Sequence, residues 1–223
     1  KYLGVDISEL GTTRFRPNYT PVTFGAISGR SIGGYLFDPV RKSPIHEWHV
    51  MAGAAFENVG QWKRPWYYPR DSETMDDSVK RECLAVRGGV GALDASTLGK
   101  IEIRGPDAST LLNRLYTNSW SKLPVGRCRY GLMLGEDGMV MDDGVTARIG
   151  DNHYLMTTTT GGAGPVLTWM ERWLQTEWPD LKVYLTSVTD QWAVVSLAGP
   201  DSRRLMANLY PDLDFSEEVF PFM

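Results

Sequence analysis

The sequence predicts an α+β chain, with helices laid over an antiparallel or mixed sheet as duplicated ferredoxin-like split βαβ units. Three observations predict it. Strand-period and helix-period segments alternate through residues 71–223. A strand–turn–helix pattern occurs twice: Ile103-Arg104-Gly105-Pro106-Asp107 matches Leu197-Ala198-Gly199-Pro200-Asp201 at an offset of 94, and the match continues through Leu111 and Leu205, Leu115 and Leu209, and Tyr116 and Tyr210. In each copy the strand ends at Gly, Pro fixes the entry, and Asp sits at the positive end of the helix dipole. Finally, 42% hydrophobic and 22% charged residues in 223 is ordinary for a globular chain and excludes a wholly disordered one.

Residues 1–70 stand apart. Gly, Pro and aromatic residues punctuate them, as at Thr20-Pro21-Val22-Thr23 and from Gln61 to Arg70, too often for helices. Disordered linkers are poor in aromatics, so an irregular but packed strap is expected. The first helix begins near Ser72, a candidate cap, with Glu73, Asp76 and Asp77 in its first turn, and ends at Gly88-Gly89. Met75, Val79, Cys83 and Val86 form its apolar stripe, which makes Cys83 a packed residue. Ile101 and Ile103 then alternate with Lys100, Glu102 and Arg104 in a strand. A helix from Ala108 to about Asn118 carries Leu111, Leu112 and Leu115 on one side. Strands follow at Cys128–Leu134, Met139–Ile149 and Tyr154–Thr158, joined by turn-rich Gly135–Gly138 and Gly150–Asn152. A helix over Ala163–Glu177 is stopped by Pro179, and strands at Leu181–Val188 and Trp192–Leu197 lead to the second Gly-Pro-Asp.

The formal charge of −4 disfavours a generic nucleic-acid binder, which is more often basic. No apolar run approaches the ~18 residues of a membrane-spanning helix. Two cysteines, Cys83 and Cys128, cannot build a four-ligand zinc site or a disulfide framework, so a reduced, cytoplasmic setting is expected. A chain that starts without Met and stops at Met223 reads as a segment of a longer polypeptide.

Asp142-Asp143 is the foremost candidate for chemistry. It interrupts an apolar strand between Val140 and Val145, so the period of two turns one carboxylate inward. A buried carboxylate costs several kcal/mol unless bonded or paired, and chains keep one mainly at caps, ion pairs or functional sites. It can act as acid or base. The alternative is an edge Asp facing solvent or bonded to Arg127 or Arg129. Thr157-Thr158-Thr159-Thr160-Gly161-Gly162 ends a strand and opens a helix, where free N–H groups can bind a heterocycle or anion; a plain cap is the other reading. Tyr130 can stack on a flat ligand or pack in the core. His46-Glu47-Trp48-His49 has HxxH spacing, not HExxH, and no third ligand. Trp62 and Trp66, beside Lys63, Arg64 and Arg70, could line an interface.

Several of these runs together resemble a known family. Glu82–Arg87, Gly91-Ala92-Leu93-Asp94-Ala95-Ser96, Gly99–Ala108, Tyr130-Gly131-Leu132-Met133-Leu134 and Gly138-Met139-Val140-Met141-Asp142-Asp143 are similar, in order, to the glycine-cleavage T-protein (aminomethyltransferase) family. Phe37–His46, Val59–Tyr67 and Leu93–Ile101 further resemble the α-subunit family of heterotetrameric sarcosine oxidases. The resemblance implies a partial T-protein-like folate-binding domain over residues 71–223, preceded by the connecting strap over 1–70. It implies that sarcosine, tetrahydrofolate and O2 give glycine, methylenetetrahydrofolate and H2O2, with tetrahydrofolate as the cofactor here. FAD, FMN and NAD, and the β, γ and δ subunits, would lie elsewhere in the complex. In the family an Asp approaches the folate amine; counting from Tyr130, Asp143 aligns with it and Asp142 is its neighbour, making both the catalytic candidates. Tyr130 matches a tyrosine beside the folate. Thr159 falls where the family often has Asn near the folate, and Thr158 joins it as a candidate contact. Met139 stands where the family carries a second Gly. A non-catalytic folate-binding or assembly module, a dimethylglycine dehydrogenase part and a stand-alone aminomethyltransferase are the competing readings.

Overall fold

A computed structural model describes residues 41–221. Residues 1–40 of the expected strap, including Thr20–Thr23 and Phe37–Val40, lie outside the described residues.

Residues 41–70 are not irregular. Strand β1 (Arg41–Lys42), helix α1 (His46–Met51) and the hairpin β2 (Ala55–Val59) and β3 (Trp62–Tyr67) form a small three-stranded sheet in the order β1-β3-β2. Pro65 hid β3 from a sequence reading, since proline suits only edges and bulges. Here it faces Phe56 at a register shift, beyond the two residues of β3 that pair with β1.

Helix α2 (Met75–Gly88) is capped by Thr74, not Ser72. Thr74 and Asp77 exchange side-chain and backbone hydrogen bonds in a capping box, a T-x-x-D signal that was present in the sequence. Its expected apolar stripe is largely in solvent: Met75, Val79 and Cys83 are exposed, and Val86 is half-buried.

The main sheet has five strands: β5 (Gly99–Arg104), β6 (Cys128–Leu134), β7 (Val140–Gly150), β8 (His153–Thr158) and β9 (Tyr184–Ser187), in the order β6-β7-β8-β5-β9. Every pairing in it is antiparallel. Helices α3 (Ala108–Leu115) and α4 (Ala163–Thr176) supply the apolar face that covers one side. Ile101, Ile103, Leu111, Leu112, Met133, Tyr154, Met156, Val166 and Met170 make the buried core there. Burying each aliphatic side chain contributes about 1.5–3 kcal/mol. Trp169, Trp173 and Trp178 pack partly buried against its edge, with the rings of Trp173 and Trp178 stacked at 5.0 Å.

A second, two-stranded sheet pairs β4 (Gly91–Asp94) with β10 (Val195–Ala198), which leads into α5 (Ser202–Leu209). The repeat seen in the sequence is real in the backbone. Gly105 and Gly199 both hold positive φ, at 133° and 116°. A Cβ on Gly105 would lie 2.1 Å from the Lys182 carbonyl oxygen, and one on Gly199 would lie 2.3 Å from that of Gly89. The same two carbonyls accept from the N–H groups of Asp107 and Asp201.

The repeat does not build two separate ferredoxin-like units, however. β5 pairs with β9, and β10 pairs with β4, in matching registers: Ile101↔Ser187 and Ile103↔Leu185 correspond to Val195↔Asp94 and Leu197↔Ala92. Each copy of the turn therefore takes its neighbouring strand from the other repeat.

Candidate functional site

β7 carries both acids, and its pairing decides where they point. Met133 faces Asp142 and Leu132 faces Asp143 across the β6–β7 ladder. Directly opposed residues share a face, and successive residues alternate. Asp142 therefore lies on the helix-covered side, in a row with buried Met133 and, through the Tyr116↔Met133 bridge, buried Tyr116. Asp143 lies on the other side, with Leu132, Tyr130 and Val145.

Asp142 is 4% exposed. Its carboxylate accepts from the Thr159 hydroxyl at 2.5 Å and from the Thr159 N–H at 3.2 and 3.3 Å. The Thr159 hydroxyl accepts in turn from the N–H of Gly162, the residue capping α4. A Cβ on Gly162 would lie 2.5 Å from the Asp142 Oδ1, so only glycine allows the approach. Burial pushes the Asp142 carboxyl above the ordinary range; the bonds from Thr159 oppose this but do not cancel it. Burial likewise raises the Tyr116 phenol, with the two acids adding to it. The Tyr116 hydroxyl has no hydrogen-bond partner among the described residues.

Asp143 is half-buried, and its Oδ2 accepts a hydrogen bond from the Tyr130 hydroxyl. That bond raises the phenol's proton affinity. The Tyr130 ring is 46% exposed, with its strand held from beneath by Asn118, whose side-chain amide donates to the Tyr130 carbonyl at 2.6 Å. Asn118 has a positive φ of 89°, a conformation asparagine tolerates better than most residues.

The candidates thus separate. Asp143 and Tyr130 come together on the open face. Asp142 and Thr159 are joined to each other. Thr158 is 1% exposed, donates to the Thr159 carbonyl and packs close to Gly99, on the core side. Asn118 and Tyr116 escaped the sequence reading as site residues, Tyr116 being visible only as a mark of the repeat, whereas Gly162 was visible as the end of the Thr-Gly run.

The remaining candidates are engaged elsewhere. His49 bonds Asp94 through Nε2 at 2.8 Å and the Tyr68 hydroxyl through Nδ1 at 2.6 Å, both within the fold. Trp62 is buried under the Arg41 guanidinium at 4.1 Å, whereas Trp66 is half exposed. Lys100, expected on a polar face, is 1% exposed, and its ammonium donates to the Ser96 carbonyl at 2.6 Å. Burial lowers its proton affinity. Among the described residues no group of three His, Cys, Asp or Glu could hold a metal ion, and no helix is long and apolar enough to cross a membrane.

An antiparallel sheet with helices over one face is an architecture already known in crystals. The structure matches that of the glycine cleavage system aminomethyltransferase T from Bartonella henselae with a TM-score of 0.65, over 75% of this chain and 43% of that one, at 23% identity; at that identity the likeness is one of fold. The chain belongs to the GCVT N-terminal domain family, which matches residues 45–223. It is 59% identical over 216 residues to the sarcosine oxidase subunit alpha of Corynebacterium sp. (strain U-96), covering 97% of this chain and 22% of that protein. It is 50% identical over 224 residues to the subunit alpha of Rhizobium meliloti (strain 1021), again spanning 22% of its length. A probable aminomethyltransferase of Natronomonas pharaonis is 34% identical over 176 residues, covering 78% of this chain and 46% of the relative. The chain spans about a fifth of the length of the subunit alpha relatives.

Proposed function

We propose that this chain supplies the folate-dependent one-carbon site of a sarcosine oxidase. In the whole reaction sarcosine, tetrahydrofolate and O2 give glycine, methylenetetrahydrofolate and H2O2. The oxidation would take place at flavin elsewhere in a multi-subunit complex, and this segment would serve the capture of the imine carbon by folate. The observation that carries the reading is the hydrogen bond from the Tyr130 hydroxyl to Asp143 on the face of the main sheet opposite the core helices. An exposed phenol ring beside an accessible carboxylate suits a flat, amine-bearing ring: the ring offers a stacking surface, and the acid offers a proton acceptor. FAD, FMN, NAD and the β, γ and δ subunits belong to this proposal as parts of the larger assembly, as does a cytoplasmic setting.

Within it, Asp143 has a defined task. A folate amine must lose a proton as its carbon bridge forms. The Asp143 carboxylate accepts that proton or stabilises the positive charge that develops on the nitrogen. Tyr130 donates to one oxygen of Asp143, fixes the plane of the carboxylate and leaves the other oxygen for the ligand. The relatives named sarcosine oxidase subunit alpha support the choice of substrate over a stand-alone aminomethyltransferase, since they align with almost the whole chain, residues 1–44 included.

The test is Asp143→Asn in the complete enzyme with sarcosine, tetrahydrofolate and O2. H2O2 should form at the wild-type rate while methylenetetrahydrofolate formation falls by a factor on the order of 100 to 10,000, the usual worth of a positioned acid or base. Methylenetetrahydrofolate at wild-type yield would remove Asp143 from the chemistry.

A further inference from the structure

The ladder between β7 and β8 does not reach the acids. Its paired residues run from Thr146↔Met156 to Gly150↔His153. From Thr146 back to Asp142, β7 stays paired with β6, but side chains replace the ladder on the β8 side. The Thr157 hydroxyl accepts from the Val145 N–H at 2.9 Å and donates to the Val145 carbonyl at 3.2 Å. The Asp142 carboxylate takes the Thr159 N–H and hydroxyl. Asp143 thus sits on a stretch of strand held to β8 and the residue that follows it through two side chains, one of them the acid next to it.

The connection goes further inward. Thr159 ties Asp142 to the N–H of Gly162, the cap of α4, a helix whose Val166 and Met170 are fully buried in the core. This is a rigid route from packed helix to strand, and it ends one residue from Asp143. A carboxylate at this point also has a cost that a neutral side chain would avoid, which argues for a purpose beyond packing.

We propose that Asp142 is a positioning residue: bound to Thr159 and through it to α4, it fixes the β7 backbone so that Asp143 meets Tyr130 and the ligand in one geometry. It acts through Asp143 and does not itself touch the ligand. The inference rests on the reading of Asp143 as the proton acceptor.

The experiment compares Thr159→Val, which keeps the shape and removes the hydroxyl, with Thr159→Ser, which restores it, in the complete enzyme. Two quantities are read: amide hydrogen exchange at residues 143–145 in the free protein, and the rate of methylenetetrahydrofolate formation at saturating tetrahydrofolate. Thr159→Val should speed exchange at residues 143–145 and slow formation by about tenfold each, the usual worth of one hydrogen bond to a charged group. The KM for tetrahydrofolate should stay within about twofold. Thr159→Ser should return both quantities to near wild type, and Asp142→Ala combined with Thr159→Val should cost little more than Asp142→Ala alone. Unchanged exchange in Thr159→Val overturns the inference, and so does a rate loss that the serine variant fails to rescue. The exchange readout needs no folate. Protection that responds as described, in a wild-type enzyme that makes no methylenetetrahydrofolate, would sink the proposed function and leave the positioning of Asp143 standing.

Discussion

Two neighbouring aspartates with opposite surroundings show how much one residue of alternation decides. Asp142 is buried and bonded; Asp143 is accessible and faces a phenol. Tyr130→Phe keeps the ring but removes the donor to Asp143, so methylenetetrahydrofolate formation should fall by roughly tenfold, the worth of one charged hydrogen bond, with tetrahydrofolate binding little changed. Single-turnover kinetics checks this, and an unchanged rate refutes it. Asp142 also makes a pH prediction. Its carboxyl in the fold binds a proton more readily than the ordinary value of 3.8. A raised carboxyl contributes stability that is complete below the unfolded value and is lost as pH rises through the folded one. The stability of wild type relative to Asp142→Asn should therefore decline as pH climbs from about 4, as denaturant midpoints at a series of pH values would record. A flat or rising difference contradicts it. The sequence announced that one acid would turn inward. Which one it was depends on the register with β6, and a slip of a single residue exchanges the two faces.

At the level of elements, periodicity served well where one face is buried. β6 spans Cys128–Leu134 as the alternation predicts, and α4 begins at Ala163 as expected. It served poorly for α2, whose stripe has little to pack against, and for the hairpin interrupted by Pro65. Side-chain bonds that stand in for a ladder, as at Thr157 and Thr159, leave no periodic trace at all. The β7–β8 approach has its own steric requirement: a Cβ on Gly144 would lie 2.0 Å from the backbone carbonyl oxygen of Thr157. No rotamer change can relieve a clash with backbone. Gly144→Ala should cost about 1–3 kcal/mol, visible as a lower denaturant midpoint, and more than a Gly164→Ala control, where the added atom meets nothing within 4 Å. Equal losses in the two variants would count against the close approach.

Across the molecule, residues 41–70 are clasped to the rest through a buried hydrogen bond and an exposed ion pair. His49 joins Tyr68 to Asp94 of β4, and Arg41 reaches Asp190 at 2.6 Å. Hydrogen bonds from Ser96 and His49 keep the Asp94 carboxyl below its ordinary value although burial works against them. His49→Ala removes one donor to that buried carboxylate, and stability should drop by roughly 1–3 kcal/mol. Trypsin should then cut faster within 41–70; an unchanged cleavage rate would mean that the clasp holds by other contacts. The expected duplication was legible in its Gly-Pro-Asp turns, while its interleaved partners were not, because pairing over long separations has no local signature. That interleaving carries a kinetic consequence. β4 finds its partner only when Val195 emerges, about a hundred residues after Asp94, which at roughly 5–20 residues per second of synthesis is a wait on the order of 5–20 seconds. Through that interval the nascent chain holds an unmatched strand, so its maturation should be slow, dominated by late closure of distant segments, and sensitive to chaperones that shield the first strand until the second arrives.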